Sequence, residues 1–190
     1  MQKEEESGAA LMMRARSFME KAFEGKFRLD KITPMAQHSI EVAEFVLVAS
    51  GTPAEVASAY LHDVVENSEL TIEDIREGFG DKIAKMVDGL TDPPELKSLT
   101  SLDKKTAQAT RIRNKSNGVK KVRMADMISN LRSLAVSPPE SWSDIKRLGY
   151  IEGCRRIAFE CGGLNEYLDT KFVGAYDDAF KKCSPPPRRL

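Results

Sequence analysis

Histidine is scarce in this chain. Of its 190 residues only His38 and His62 are histidines, so a site that claims both would be conspicuous. Cysteine is nearly as rare. Cys154, Cys161 and Cys183 are odd in number and lack CxxC spacing, which argues against a disulfide framework and for a reducing cytosol. Cys154 and Cys161 stand seven apart on one helix face, where they pack as small hydrophobes. Long apolar runs are missing: the longest, around Val42 to Ala49, is far too short to span a bilayer. The acidic start, Met1 to Glu6, does not read as a secretory signal. An excess of one charge is absent too. Lys plus Arg and Asp plus Glu each total 29, which excludes a uniformly basic nucleic-acid binder and an acidic disordered chain. No stretch alternates β-branched with polar residues, so a sheet has no candidate strands.

What is present is helical punctuation. Thr33-Pro34-Met-Ala-Gln37 and Thr52-Pro53-Ala-Glu55 each place a capping hydroxyl, proline at the first helical position, and Gln or Glu three residues after the cap. Thr71 with Asp74 reads as another start, while Gly25, Gly51, Gly78, Gly89 and Gly162-Gly163 mark ends. Between them apolar residues recur at helical spacing, as in Ile40, Ala43, Val46 and Leu47, or Ile151, Cys154, Ala158 and Cys161. The expectation is an all-α chain of eight to nine helices near 9–24, 34–50, 53–67, 72–78, 80–91, 101–114, 119–136, 142–162 and 164–182. With 41% hydrophobic and 31% charged residues, it has the composition of one globular domain. That domain would occupy residues 1–183, and Ser184-Pro-Pro-Pro-Arg-Arg-Leu190 would form a mobile tail.

The chemistry-bearing residues are few. His62 and Asp63 are adjacent, and an imidazole beside a carboxylate suits a first-row divalent metal. His38 on the preceding helix and Asp126 in Met124-Ala-Asp-Met127 would complete a set of two imidazoles and two carboxylates, with positions left open for water and a phosphate oxygen. Glu66 follows His62 by four residues, Asn67 follows Asp63 by four, and Asn130 follows Asp126 by four, so each shares a helix face with its partner. Arg123 precedes Asp126 by three.

His38, Tyr60-Leu-His-Asp-Val-Val-Glu66, Phe79-Gly80, Val87-Asp-Gly-Leu-Thr91, Val122-Arg-Met-Ala-Asp126 and Asn130-Leu-Arg-Ser-Leu134 together resemble the HD-domain superfamily. Within it they are similar to the hydrolase domain of RelA/SpoT-type proteins and the stand-alone small alarmone hydrolases. The resemblance runs from about Thr33 to about Leu168 and implies a helical HD-domain bundle. It also implies a manganese-dependent enzyme that removes the 3′-pyrophosphate of guanosine tetra- and pentaphosphate. The implied metal ligands are His38, His62, Asp63 and Asp126. The length leaves no room for a synthetase domain.

Two departures stand out. The family's Glu-Asp pair, which prepares the attacking water, is here Glu66-Asn67, and an amide can hold a water but cannot take its proton. The family's upstream basic pair is not reproduced in register, although Arg28 and Lys31 lie nearby. Three readings therefore remain: the guanosine 3′-pyrophosphohydrolase, an HD phosphohydrolase on another nucleotide such as the 2′-phosphate of NADPH, and a nucleotide-binding protein without turnover.

Net zero conceals an asymmetry. Lys104 to Ala125 holds eight basic residues and no acidic one, so the remainder carries minus eight. With few aromatics interleaved, the segment suits a small polyanionic nucleotide better than a nucleic acid. Arg28, Lys31, Lys105, Arg123 and Asn130 are the expected substrate contacts, and Glu66 with Asn67 the catalytic pair. Neither a membrane nor a nucleic acid is expected as a partner. Trp142, Tyr150 and Phe159 are assigned to packing.

Overall fold

A computed structural model describes residues 6–184. Among these residues nine α-helices follow one another: α1 (Gly8–Ala22), α2 (Met35–Val48), α3 (Pro53–Leu61), α4 (Val64–Asn67), α5 (Ile72–Leu90), α6 (Ser101–Ile112), α7 (Asn117–Val136), α8 (Asp144–Cys161) and α9 (Glu166–Cys183). A 3-10 turn, Pro94–Ser98, joins α5 to α6. Among the described residues the only β-type pairing is an isolated antiparallel bridge between Phe27 and Pro34. No helix among them is long and apolar enough to cross a membrane. Apart from Ser184, the Pro-rich tail lies outside the described residues.

Several helix starts follow the capping chemistry read from the sequence. Thr52 Oγ1 accepts from the Glu55 N–H at 3.3 Å and Glu55 Oε2 accepts from the Thr52 N–H at 2.8 Å. Thr71 and Asp74 form the same reciprocal box at α5. At α2 the expected cap is absent. Pro34 occupies the cap position, and the Thr33 hydroxyl donates to Asp30 Oδ2 at 2.6 Å, closing the preceding turn instead. Gly78 and Gly89 do not end helices. The single interruption of α5 is Gly80, whose φ of 81° lies in the left-handed region that glycine tolerates, so the two helices expected over 72–91 meet there at a kink. The helix expected over 53–67 breaks after Leu61. Asp63, at φ −103° and ψ −4°, steps out of the spiral before α4 resumes, with no proline or glycine to announce it.

Two clusters form the interior. One gathers α1, α3 and α5 around Met19, Leu61 and Ile75, and the other gathers α2, α6, α8 and α9 around α7. A helix enclosed on nearly every side has no wide polar face, and α7 fits that rule. Met127, Ile128 and Leu131 are fully buried, each adding about 1.5–3 kcal/mol of hydrophobic stabilisation. On the same enclosed helix sit the buried polar residues Arg123, Asp126 and Ser129. The three cysteines are buried free thiols, as expected, and burial pushes the Cys154 thiol up to about 11.

Helices α6 and α8 pack tightly at Gly153, where an added Cβ would lie 2.4 Å from Lys105 Cβ. Gly174, in contrast, faces open space on α9. Gly153→Ala should therefore lower stability by about 1–3 kcal/mol through overpacking, while Gly174→Ala raises it by about 0.5–1 kcal/mol through helix propensity. Urea unfolding of the two variants checks the opposite signs.

Candidate functional site

The site lies where α2, the α3–α4 break and α7 converge. His38 comes from the first turn of α2 and is buried. Its Nδ1 lies 2.8 Å from Ser129 Oγ, and that hydroxyl donates to Glu41 Oε2 at 2.6 Å. With the serine proton committed to Glu41, Ser129 Oγ accepts from His38 Nδ1–H, and the Nε2 lone pair is left facing inward. His62 ends α3 with Nδ1 2.8 Å from the Ala59 carbonyl, which can only accept. Its Nε2 is likewise the free acceptor, buried without a hydrogen-bond partner among the described residues.

The break in the helix turns Asp63 toward these rings. His62 Nε2 lies 3.4 Å from Asp63 Oδ1 and 3.9 Å from Asp126 Oδ1, while His38 Nε2 lies 3.7 Å from Asp63 Oδ2 and 3.3 Å from Asp126 Oδ1. One donor atom each from His38, His62 and Asp126 falls within 4.8 Å of the others. Two imidazoles whose other nitrogen is anchored, beside two carboxylates, match the ligand preferences of a first-row divalent metal. The orphaned His62 Nε2 in a buried polar pocket is the observation that makes the fit specific, because an unpaired buried acceptor is costly.

Electrostatics hold these residues in their ligating forms. Burial lowers the His38 pKa, outweighing the neighbouring carboxylates, and keeps the ring neutral. Burial pushes Asp126 upward, but the charge of the Arg123 guanidinium beside it outweighs burial and holds the carboxyl well below the usual range. Arg123 Nη1 donates to Asp126 Oδ2 at 2.8 Å, and its other terminal nitrogen donates to the Leu90 carbonyl. Asn130 Nδ2 donates to Asp126 Oδ1 at 2.5 Å. Glu66 is pushed upward by burial and by the charges of Asp63 and Asp92.

Two compartments open beside the four donors. The polar one, about 270 Å³, is lined by Asp63, Glu66, Asp92, Lys104, Lys105, Gln108, Arg123 and Asp126. The more apolar one, about 180 Å³, is lined by Arg28, Leu29, Asp30, Leu134, Pro139 and others. Asn130, Trp142 and Tyr150 line both and join them into one cleft. Lys105 is buried, with Nζ 3.6 Å from Met127 Sδ and 4.9 Å from the Tyr150 ring centre, and no carboxylate pairs with it among the described residues.

The residues singled out in the sequence are distributed unevenly over this geometry. His38, His62, Asp63, Asp126, Glu66, Lys105, Arg123, Asn130 and Arg28 all reach the centre or the cleft. Arg123 is committed to Asp126 and Leu90, so its guanidinium braces a carboxylate in addition to lining the wall. Arg28 Nη2 donates to Asn130 Oδ1 at 2.7 Å. Asn67 is placed differently. It is exposed, its amide donates to the Asp63 carbonyl at 3.1 Å, and it lines neither compartment. Lys31, at φ 59° in the turn before α2, also lies outside both.

The basic segment divides in the same way. Lys104 and Lys105 face the cleft, whereas Arg113 pairs with Glu160 and Lys121 with Glu55. Trp142 and Tyr150, assigned to packing, line the cleft, and Phe159 is 83% exposed rather than packed. Asp92 and Gln108 carry no spacing signal that would have singled them out.

The HD domain family model matches residues 15–150. The chain belongs to the HD-domain family. It is 31% identical over 166 residues to guanosine-3′,5′-bis(diphosphate) 3′-pyrophosphohydrolase MESH1 of Homo sapiens, covering 86% of this chain and 91% of that one. The Drosophila melanogaster protein of the same name is 30% identical, covering 79% of this chain and 81% of that one. A solved structure described as a metazoan ortholog of SpoT that hydrolyzes ppGpp superposes with a TM-score of 0.80 at 27% identity. That match covers 88% of this chain and 94% of the other.

Ser129→Ala would leave His38 Nδ1–H buried without its acceptor. Divalent-metal affinity should fall about 10–100-fold, read by calorimetric titration, with the circular dichroism spectrum unchanged.

Proposed function

We propose that this protein removes the 3′-pyrophosphate of guanosine 3′,5′-bis(diphosphate) and its pentaphosphate counterpart, working as a single HD hydrolase domain. The observation that carries this reading is the four-residue donor set, with its orphaned His62 Nε2, opening onto a lysine-lined polar compartment beside an aromatic-walled one. The polar compartment suits a diphosphate and the other suits a nucleoside. The pyrophosphohydrolases to which the chain is similar supply the nucleotide.

His38, His62, Asp63 and Asp126 would hold the metal, for which manganese is our assignment. A divalent metal there supplies Lewis acidity toward a phosphate oxygen and eases deprotonation of a water. Glu66, whose carboxyl burial and neighbouring charges make more basic, orients the water and accepts its proton as the oxygen attacks phosphorus. The bond from phosphorus to the ribose 3′ oxygen breaks, that oxygen takes up a proton from water, and Glu66 returns its own proton to solvent, so that one water is consumed. The ammonium of Lys105, buried with no carboxylate paired to it among the described residues, faces phosphate oxygens and stabilises the charge that builds there. Asn130 and Arg28 hold the ribose end, and Trp142 and Tyr150 flank the base. Three buried free thiols suit a reducing compartment, and we place the protein in the cytoplasm.

The purified chain with manganese should release pyrophosphate from guanosine tetraphosphate. Release of orthophosphate from NADPH, with guanosine tetraphosphate left intact, overturns the substrate. Asp126→Asn should lose bound metal and turnover together, whereas Glu66→Gln should keep metal and lose activity by about 100-fold or more. Because Asn67 lines neither compartment, Asn67→Ala should stay within about threefold of the parent rate.

A further inference from the structure

Three consecutive residues where α5 ends, Leu90 to Asp92, each hold a side chain in or beside the site. The Leu90 carbonyl accepts from Arg123, the guanidinium that braces Asp126. The Thr91 carbonyl accepts from both terminal nitrogens of Arg111 at 3.4 Å. The Asp92 N–H donates to Glu66 Oε1 at 2.7 Å, fixing the carboxylate assigned as base.

The Asp92 side chain does more than cap. It is 3% exposed, a costly place for a carboxylate unless cations compensate it. Its Oδ2 accepts from Gln108 Nε2 at 2.6 Å and pairs with Lys104 Nζ at 2.9 Å. Its Oδ1 faces Arg111 Nη1 at 3.7 Å but has no hydrogen bond among the described residues. None of these contacts involves the four metal donors. Lys104 lines the polar compartment, and an ammonium that gives one N–H to Asp92 keeps two more for a ligand. Lys104 and Lys105 are neighbours on α6, so two ammonium groups flank one compartment, one held by Asp92 and the other with no carboxylate paired to it among the described residues.

We propose that Asp92 is a positioning residue. It aims Lys104 at the outer phosphate of a diphosphate whose inner phosphate lies at the metal centre, so that the compartment prefers pyrophosphate groups to single phosphates. The idea takes its phosphate chemistry from the hydrolase reading above, but it can be tested without turnover. The full chain, saturated with manganese, is titrated calorimetrically with inorganic pyrophosphate and with orthophosphate. Asp92→Asn keeps the backbone N–H to Glu66 and removes the charge that holds Lys104.

Asp92→Asn and Lys104→Ala should each weaken pyrophosphate binding about tenfold, with orthophosphate changed less than about twofold. The double variant should be no weaker than either single one, because Asp92 acts through Lys104. In turnover of guanosine tetraphosphate, KM should rise while kcat stays within about threefold. Additive losses in the double variant, or equal losses for the two anions, overturn the proposal. Should Asp92→Asn fail to fold, Asp92→Glu keeps the charge but displaces Lys104, and unchanged pyrophosphate affinity in that variant also overturns it. If the parent chain binds pyrophosphate selectively but hydrolyses no guanosine tetraphosphate, the proposed function fails and this inference stands.

Discussion

The structure turns on keeping one carboxylate ionised in the middle of the protein. Asp126 sits on the most enclosed helix, where burial alone would force it to neutralise. It stays charged because Arg123 and Asn130 each donate to one of its oxygens, with the anchored His38 ring as their neighbour. Each partner is in turn fixed from another direction: Arg123 by the last carbonyl of α5, Asn130 by Arg28, and His38 through Ser129 by Glu41. Removing any one leaves a buried polar group exposed to the cost that the arrangement otherwise avoids.

This dependence explains why the helix order matters. Helix α2 delivers His38, the break after Leu61 delivers Asp63, the end of α5 delivers the Leu90 carbonyl, and α7 carries Asp126 through their midst. The Asp63 backbone, at φ −103° and ψ −4°, turns out of the helical spiral at the junction of two helices. A regular helix across 53–67 would carry Asp63 round its spiral, and this break is what gives the carboxylate its place beside both imidazoles.

Much of this was legible in the sequence, for physical reasons. Capping boxes at Thr52 and Thr71 are local chemistry, complete within four residues, and they read correctly. The two histidines stood out through scarcity, and the four-residue spacings placed Glu66 and Asn130 on the faces of their partners. What escaped depends on distant contacts. The break at Asp63 has no breaker residue, since tertiary placement imposes it. Asn67 shares a face with Asp63 in sequence, but the broken helix lets its amide fold back on the Asp63 carbonyl. Trp142 and Tyr150 carry a pattern that serves a core and a ligand wall equally well, and only their position beside Asn130 decides between the two. Asp92 has no signal at all until α6 brings Lys104 and Gln108 against it.

The hydrogen bond from Arg28 to Asn130 joins the turn before α2 to the amide that steadies Asp126. Arg28 lines the more apolar compartment, and Asp126 lines the polar one. The Asn130 amide therefore has its two ends committed to different halves of the cleft: its oxygen is held by the guanidinium of one, which leaves its nitrogen aimed at the carboxylate of the other.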